Sequence, residues 1–167
     1  MPTLIRWKDD RAVLAEDPFT NVTDEQWPPR GEVIVTLARF QSDGERLLAE
    51  GRLVGVRLKA TETVEDLVFE LPRIAVVALE LPIHRDGRAF TSAVLLRERY
   101  GYKGEIRAVG DVFVEQARFM VRCGFDAFEP SDSSTPDMWT HNAHRYRNVY
   151  QRGADALEPA FKEREGA

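Results

Sequence analysis

From Glu32 onward the chain alternates short β-branched runs with helix-forming stretches, and this alternation leaves few folds open. EVIVTL (32–37) reads as a strand, and LARFQSDGERLLAEG continues as a helix closed by Gly51. LVGVRL (53–58) is a second strand. TETVEDLVFEL (61–71) offers a Thr cap with Glu four residues on, then a helix stopped by Pro72. IAVVALEL (74–81) is almost continuously apolar, as expected of a strand covered on both faces. A loop and helix over RDGRAFTSAVLLRERYG, a strand GEIRAVG (104–110), a helix over 111–124 and a short strand FDAFEP (125–130) complete the series. Five strands alternating with four helices imply a parallel sheet with right-handed crossovers. The expected fold is therefore α/β, with a mostly parallel sheet of about five strands, either flavodoxin-like or a partial β/α barrel; a full barrel needs about 250 residues.

The flanks differ in character. Residues 3–7 and 11–15 bracket KDD and suit a hairpin, read as an extension of the core. EDPFTNVTDEQWPPRG (16–31) is rich in Pro, Asn, Asp and Thr and reads as an extended linker. The expected organisation is a hairpin and linker over 1–31, an α/β core over 32–130 and a helical tail over 131–167, with Asp137 capping a helix that runs to about Tyr150. Trp139, Tyr146 and Tyr150 are placed to pack on the core or on a second subunit, so a homo-oligomer is one expectation.

Composition removes several classes of function. With 23 basic against 28 acidic residues the net charge is −5, which argues against general nucleic-acid or anionic-membrane binding. One Cys excludes an internal disulfide and any Cys-held zinc or iron–sulfur site within the chain. No apolar run approaches the length of a membrane span, and MPTLIRWKDDR lacks a signal pattern, so the expected location is cytoplasmic. GxGxxG, GxxxxGK[ST], GxSxG and CxxC are absent, and no cofactor is evident. His141 and His144 lie three apart without a third ligand, so no metal site is expected. Cys123, at a helix C-terminus, reads as a packing residue.

Each of the last four strands carries a charge near its end: Arg57, Glu80, Arg107 and Glu129. Charges are unusual inside strands buried on both faces, and open α/β sheets bind ligands at their carboxyl edge. Either two arginines bind an anion there and the carboxylates orient them, or the four residues form structural ion pairs. The loops on that edge add Arg88 as a guanidinium fork, Ser92 or Thr91 as a hydroxyl, and Gly110-Asp111 at a strand-to-helix junction, where Asp111 would alternatively cap the helix. Asp86, in a turn, and His84, in a loop, are the candidate acid–base groups. The candidate anion site is thus Arg88, Ser92, Arg107, Gly110 and Asp111, with Asp86 and His84 as weak catalytic candidates.

LPIHRDGRAFTSAVLLRERYGYKGEIRAVGDVFVEQARFMVRCGFDAFEP resembles the core of a bacterial family of unknown function of the DUF934 type, whose members are often labelled oxidoreductases of sulfite reduction. The resemblance rests on Asp86, Gly87, Arg88, Phe90 and Ser92, on Leu96, Arg97 and Arg99, on Gly104, Glu105, Arg107, Ala108, Gly110, Asp111 and Val112, and on Gln116, Gly124 and Phe125. It departs at Thr91, which blurs which hydroxyl faces a ligand, and at Glu115, where Asp is usual. The family's genes typically lie beside those for assimilatory sulfite reductase and phosphoadenylylsulfate reductase. The resemblance implies an accessory protein of that pathway, binding an oxyanion-bearing small molecule or docking on one of those two enzymes. Two alternatives stand beside it: an oxidoreductase using a diffusible cofactor, and a structural interaction protein whose edge charges are salt bridges.

Overall fold

The computed structural model of the chain describes residues 3–24, 27, 29–155 and 157–165. Its centre is one eight-stranded sheet in the order β2-β1-β8-β7-β6-β5-β4-β3. The strands are β1 (Leu4–Lys8), β2 (Arg11–Ala15), β3 (Phe19–Asn21), β4 (Glu32–Thr36), β5 (Val54–Leu58), β6 (Val76–Leu81), β7 (Glu105–Gly110) and β8 (Ala127–Phe128). From β3 to β8 neighbours are parallel, whereas β1 pairs antiparallel with both β2 and β8.

This corrects the expectation of a mostly parallel, five-stranded, flavodoxin-like sheet with an appended hairpin. The sheet is mixed, and the hairpin is built into it, with Ile5 opposite Phe128 and Arg6 opposite Ala127. The parallel strands follow one another in chain order without reversal. Right-handed crossovers that always step the same way put every helix on one face, so there is no switch point of the doubly wound kind. The other face is left concave. Three residues, 16–18, join β2 at one edge of the sheet to β3 at the other. That link spans at most about 15 Å, against about 34 Å between the outer strands of a flat eight-stranded sheet. The sheet therefore curls into a half-barrel.

Alternation along the strands sorts the core. Val33, Val35, Val54, Val56, Leu58, Val77, Leu79, Ile106 and Ala108 face the helices, where they meet Phe40 and Leu47 of α1 (Leu37–Ala49), Ala93 of α2 (Arg88–Val94) and Met120 of α3 (Ala117–Cys123). The concave face holds a smaller apolar cluster of Ile34, Val76, Ala78 and Val109 under Phe19. In the tail, α4 (Pro136–Ala143) brings fully buried Trp139 onto Phe128, with ring centroids 4.3 Å apart, and α5 (Ala160–Glu165) follows.

Local readings changed too. The helix expected over 61–71 is two 3₁₀ turns, Val64–Leu67 and Leu71–Arg73, with Pro72, which has no N–H to donate, inside the second. β3 lies inside the expected linker; at three residues behind Pro18 it is too short to show a period. Thr135, not Asp137, caps α4, which ends at Ala143 rather than near Tyr150. No helix among the described residues is long and apolar enough to cross a membrane.

Candidate functional site

The strand-end charges all fall on the concave face. Thr36, Arg57, Ala78, Arg107 and Ala127 are consecutive partners across five strands, and Glu80 is two residues beyond Ala78 on the same face. They form two separate groups.

Arg107 is at the centre of the first and has no solvent exposure. Its guanidinium grips Asp17 in two bonds of 2.7 and 3.0 Å, donates through Nε to Glu105 at 2.8 Å and reaches Glu129 at 3.0 Å. Arg6 donates to the other oxygen of Glu105 at 2.9 Å. Burial alone would lower the Arg107 pKa, but the hydrogen bonds and charges of Asp17, Glu105 and Glu129 outweigh it and leave it raised. Two guanidiniums face three carboxylates here, and four of Arg107's five donors are used. Arg107 is thereby an internal strut that fastens the 16–18 link across the half-barrel. Asp17, 90 positions away in sequence, carries no local signal that would have linked it to Arg107.

The β6–α2 and β7–α3 loops bring His84, Asp86, Arg88, Gln116 and Asp111 to the carboxyl edge, apart from Arg107. Gly110 has φ +93°, and a Cβ there would lie 2.4 Å from the Leu81 carbonyl oxygen, so only glycine lets the two strand ends approach this closely. The turn aims the Asp111 N–H at Leu81 O (2.8 Å) and its carboxylate at the His84 N–H (2.7 Å). Asp111 caps no helix: the next helical turn is the 3₁₀ segment Val114–Gln116, which precedes α3. Gln116 Nε2 donates to the His84 carbonyl at 2.7 Å, and the exposed His84 ring stands edge-on to Phe113. Arg88, the expected anion fork, turns back on Asp86, donating from Nε at 3.0 and 3.1 Å and from its backbone N–H at 3.1 Å. Ser92 is half-buried on α2 and Thr91 exposed beside it.

The Arg88 contacts hold the Asp86 carboxyl well below the usual range, at about 2, chiefly through the guanidinium hydrogen bond and then the backbone one. A folded pKa below the unfolded value of about 3.9 gives stability present above that value and lost as pH falls towards 2. Carbon-detected NMR of Asp86 should show this low midpoint in the native protein and a rise towards the usual carboxylate range in Arg88→Ala, which keeps only the backbone bond. An unshifted midpoint in the native protein would mean that the pair does not persist in solution.

Several residues that carry the family resemblance serve the fold. Arg97, in the helical turn Leu95–Arg99 that continues α2, donates to the carbonyls of Gly124 (3.0 Å), Tyr102 (2.7 Å) and Gly104 (2.9 Å) and pairs with Asp126, locking that turn to the starts of β7 and β8. Burial raises the thiol pKa of half-buried Cys123.

The second group of strand-end charges opens into a cavity of about 360 Å³ at the carboxyl mouth of the half-barrel. Arg57, Lys59, Glu80, Thr36 and Asp24 line it. Arg57 Nε donates to Glu80 at 3.1 Å, and no other side-chain bond of Arg57 is formed among the described residues. Lys59 is exposed, and its ammonium has no carboxylate partner among them. Thr36 donates its hydroxyl to Asp24 while accepting the Arg39 N–H at 3.1 Å as the cap of α1. Arg57 and Glu80 stand out as charges in apolar strands; Lys59, one residue past β5 on the same edge, is not among the residues expected there, although its place at the carboxyl edge is the signal for it. Asp24 had no such signal, because β3 was unseen.

Over residues 55–161, more than half of its length, the chain matches the family described as "Bacterial protein of unknown function (DUF934)". No curated protein and no solved structure matches it.

Proposed function

We propose that this protein, which belongs to the bacterial DUF934 family, is an accessory protein of assimilatory sulfate and sulfite reduction that binds a small oxyanion-bearing molecule at the mouth of its half-barrel. The observation that carries the reading is the cavity at the ends of β4, β5 and β6, where Arg57 presents its terminal nitrogens and Lys59 an uncompensated ammonium in a chain of net charge −5. The pathway is supported by the resemblance of the 81–130 stretch to proteins labelled for sulfite reduction. In this reading Lys59 and Arg57 hold the anion, Glu80 fixes the Arg57 fork, and the Asn21 amide adds a neutral hydrogen bond at the rim, while the Thr36 hydroxyl stays committed to Asp24. The anion set expected from sequence moves accordingly: Arg107 serves as the strut, and Arg88 is committed to Asp86.

A thermal-shift screen against sulfite, sulfate, phosphate, adenylyl sulfates, FAD, FMN and NADPH tests this. A ligand at a hundred times its Kd should stabilise the fold by about 2.7 kcal/mol, roughly 5–10 °C for a chain this size. Lys59→Ala, which removes no internal pair, should weaken that ligand about tenfold or more. A shift undiminished in Lys59→Ala, or no shift with any of these compounds, overturns the site. Normal growth of a deletion strain on sulfate as sole sulfur source overturns the pathway.

A further inference from the structure

A second concavity lies on the opposite flank, between α3 and the segment 144–151, with a volume of about 780 Å³. Arg118, Arg122, Arg145 and Arg147 line it, and no acidic side chain among the described residues does. Two of these arginines build the wall. Arg118 donates to the carbonyls of Ala143 (3.0 Å) and Asn148 (3.3 Å), and Arg122 donates to the Gln151 carbonyl and to Asp155 (2.9 Å) at one end. Val149, 5% exposed, anchors the segment, and its carbonyl accepts the Ala160 N–H at 2.8 Å. The other two, Arg145 and Arg147, are exposed and form no ion pair among the described residues. The guanidiniums of Arg118 and Arg145 lie 5.6 and 5.7 Å from the centre of the Tyr146 ring. Phe119 (66% exposed), Tyr146 (61%) and Tyr150 (92%) lie along the groove.

We propose that this groove is a docking surface for an acidic segment of a protein partner, independent of the anion site at the half-barrel mouth. Aromatic and arginine side chains presented together on a fixed backbone are the composition of interface hot spots, and free solvation gives a soluble protein no reason to expose three aromatic rings in one place. The charge selects the occupant. A groove whose Arg145 and Arg147 guanidiniums carry no ion pair among the described residues attracts carboxylates, while the net charge of −5 disfavours approach to an extended anionic bilayer. A short acidic segment feels mainly the local field, because screening confines the rest to about 8–10 Å.

The test uses the whole chain and a fluorescein-labelled peptide rich in Glu and Asp around a central Phe, with its Gln/Asn counterpart as control. Saturable binding of the acidic peptide that weakens with salt is expected, with little binding of the neutral one. Arg145→Glu combined with Arg147→Glu should weaken it about tenfold or more with the melting temperature unchanged, since neither side chain holds the fold. Tyr150→Ala should weaken it without altering the salt dependence. Hydrogen exchange should slow in 144–151 when the peptide is added, and Lys59→Ala should leave peptide binding unchanged. Equal binding of both peptides, no saturable binding at low salt, or insensitivity to the double reversal overturns the proposal. So does binding to phosphatidylglycerol vesicles without peptide binding, which would make the surface a membrane contact. Self-association abolished by the double reversal, again without peptide binding, would assign the groove to a second copy of the chain and likewise overturn it.

Discussion

Arg107→Met should lower the stability of this protein by about 3–5 kcal/mol, moving the thermal midpoint down by roughly 6–20 °C. The size follows from what remains behind. Asp17, Glu105 and Glu129, each at most 15% exposed, would face one another with only Arg6 in contact through Glu105. The 16–18 link would lose both bonds that fasten it over the concave face. The loss should shrink at acid pH, for a reason of sign. Carboxylates stranded together have folded pKa values above their unfolded ones, so the folded variant binds more protons than its unfolded chain and gains stability as pH falls. Urea unfolding at neutral and acid pH reads both effects. A cost below about 1 kcal/mol, typical of exposed pairs, would mean that the network is solvated and that Arg107 is available to a ligand after all. Adding Asp17→Asn to Arg107→Met should recover part of the loss, because it removes one uncompensated charge.

Trp139→Ala should cost about 3–5 kcal/mol as well, through a different cause. The indole is fully buried, stacks on Phe128 and donates through Nε1 to Ser134 Oγ at 2.8 Å. Its neighbour Thr140 accepts the Ala12 N–H at 3.0 Å, so α4 ties the tail to both β8 and β2. Truncation leaves a cavity against the two-residue strand β8, which sits between β1 and β7, and leaves the Ser134 hydroxyl, 8% exposed at residue level, without its indole donor. Trp139→Phe should keep most of the stacking and lose less. Denaturant unfolding with matched m-values checks the size. A loss under about 1 kcal/mol for the alanine variant would show that the tail is docked loosely on the sheet.

The Arg107 network depends on the curl of the sheet, whereas Trp139 packs on the helix-covered face. Curling lets the 16–18 link cross the concave face, so Asp17 meets Arg107, whereas the mouth of the cavity is formed by the ends of the neighbouring parallel strands β3, β4 and β5. The apolar periodicity behind strands 32–37, 53–58, 74–81 and 104–110 was visible locally, and so was the hairpin at the start, because each is decided by side chains a few residues apart. The charges on Arg57, Glu80, Arg107 and Glu129 were visible as anomalies in otherwise apolar strands.

Partnership was not visible. Whether Arg107 meets an anion or three carboxylates depends on a contact across 90 positions, and no local pattern encodes it. Arg88 looked like a free fork until the turn folded it back on Asp86. By itself the sequence determined the alternation, the strand faces and the edge on which charge collects, since these follow from local propensity and period. The tertiary structure alone decided the winding of the eight-stranded sheet, its antiparallel edge at β1 and β2, and which arginine is a strut and which faces the mouth. Those depend on burial and on long-range pairing, where desolvation makes a buried guanidinium stable only among its carboxylates.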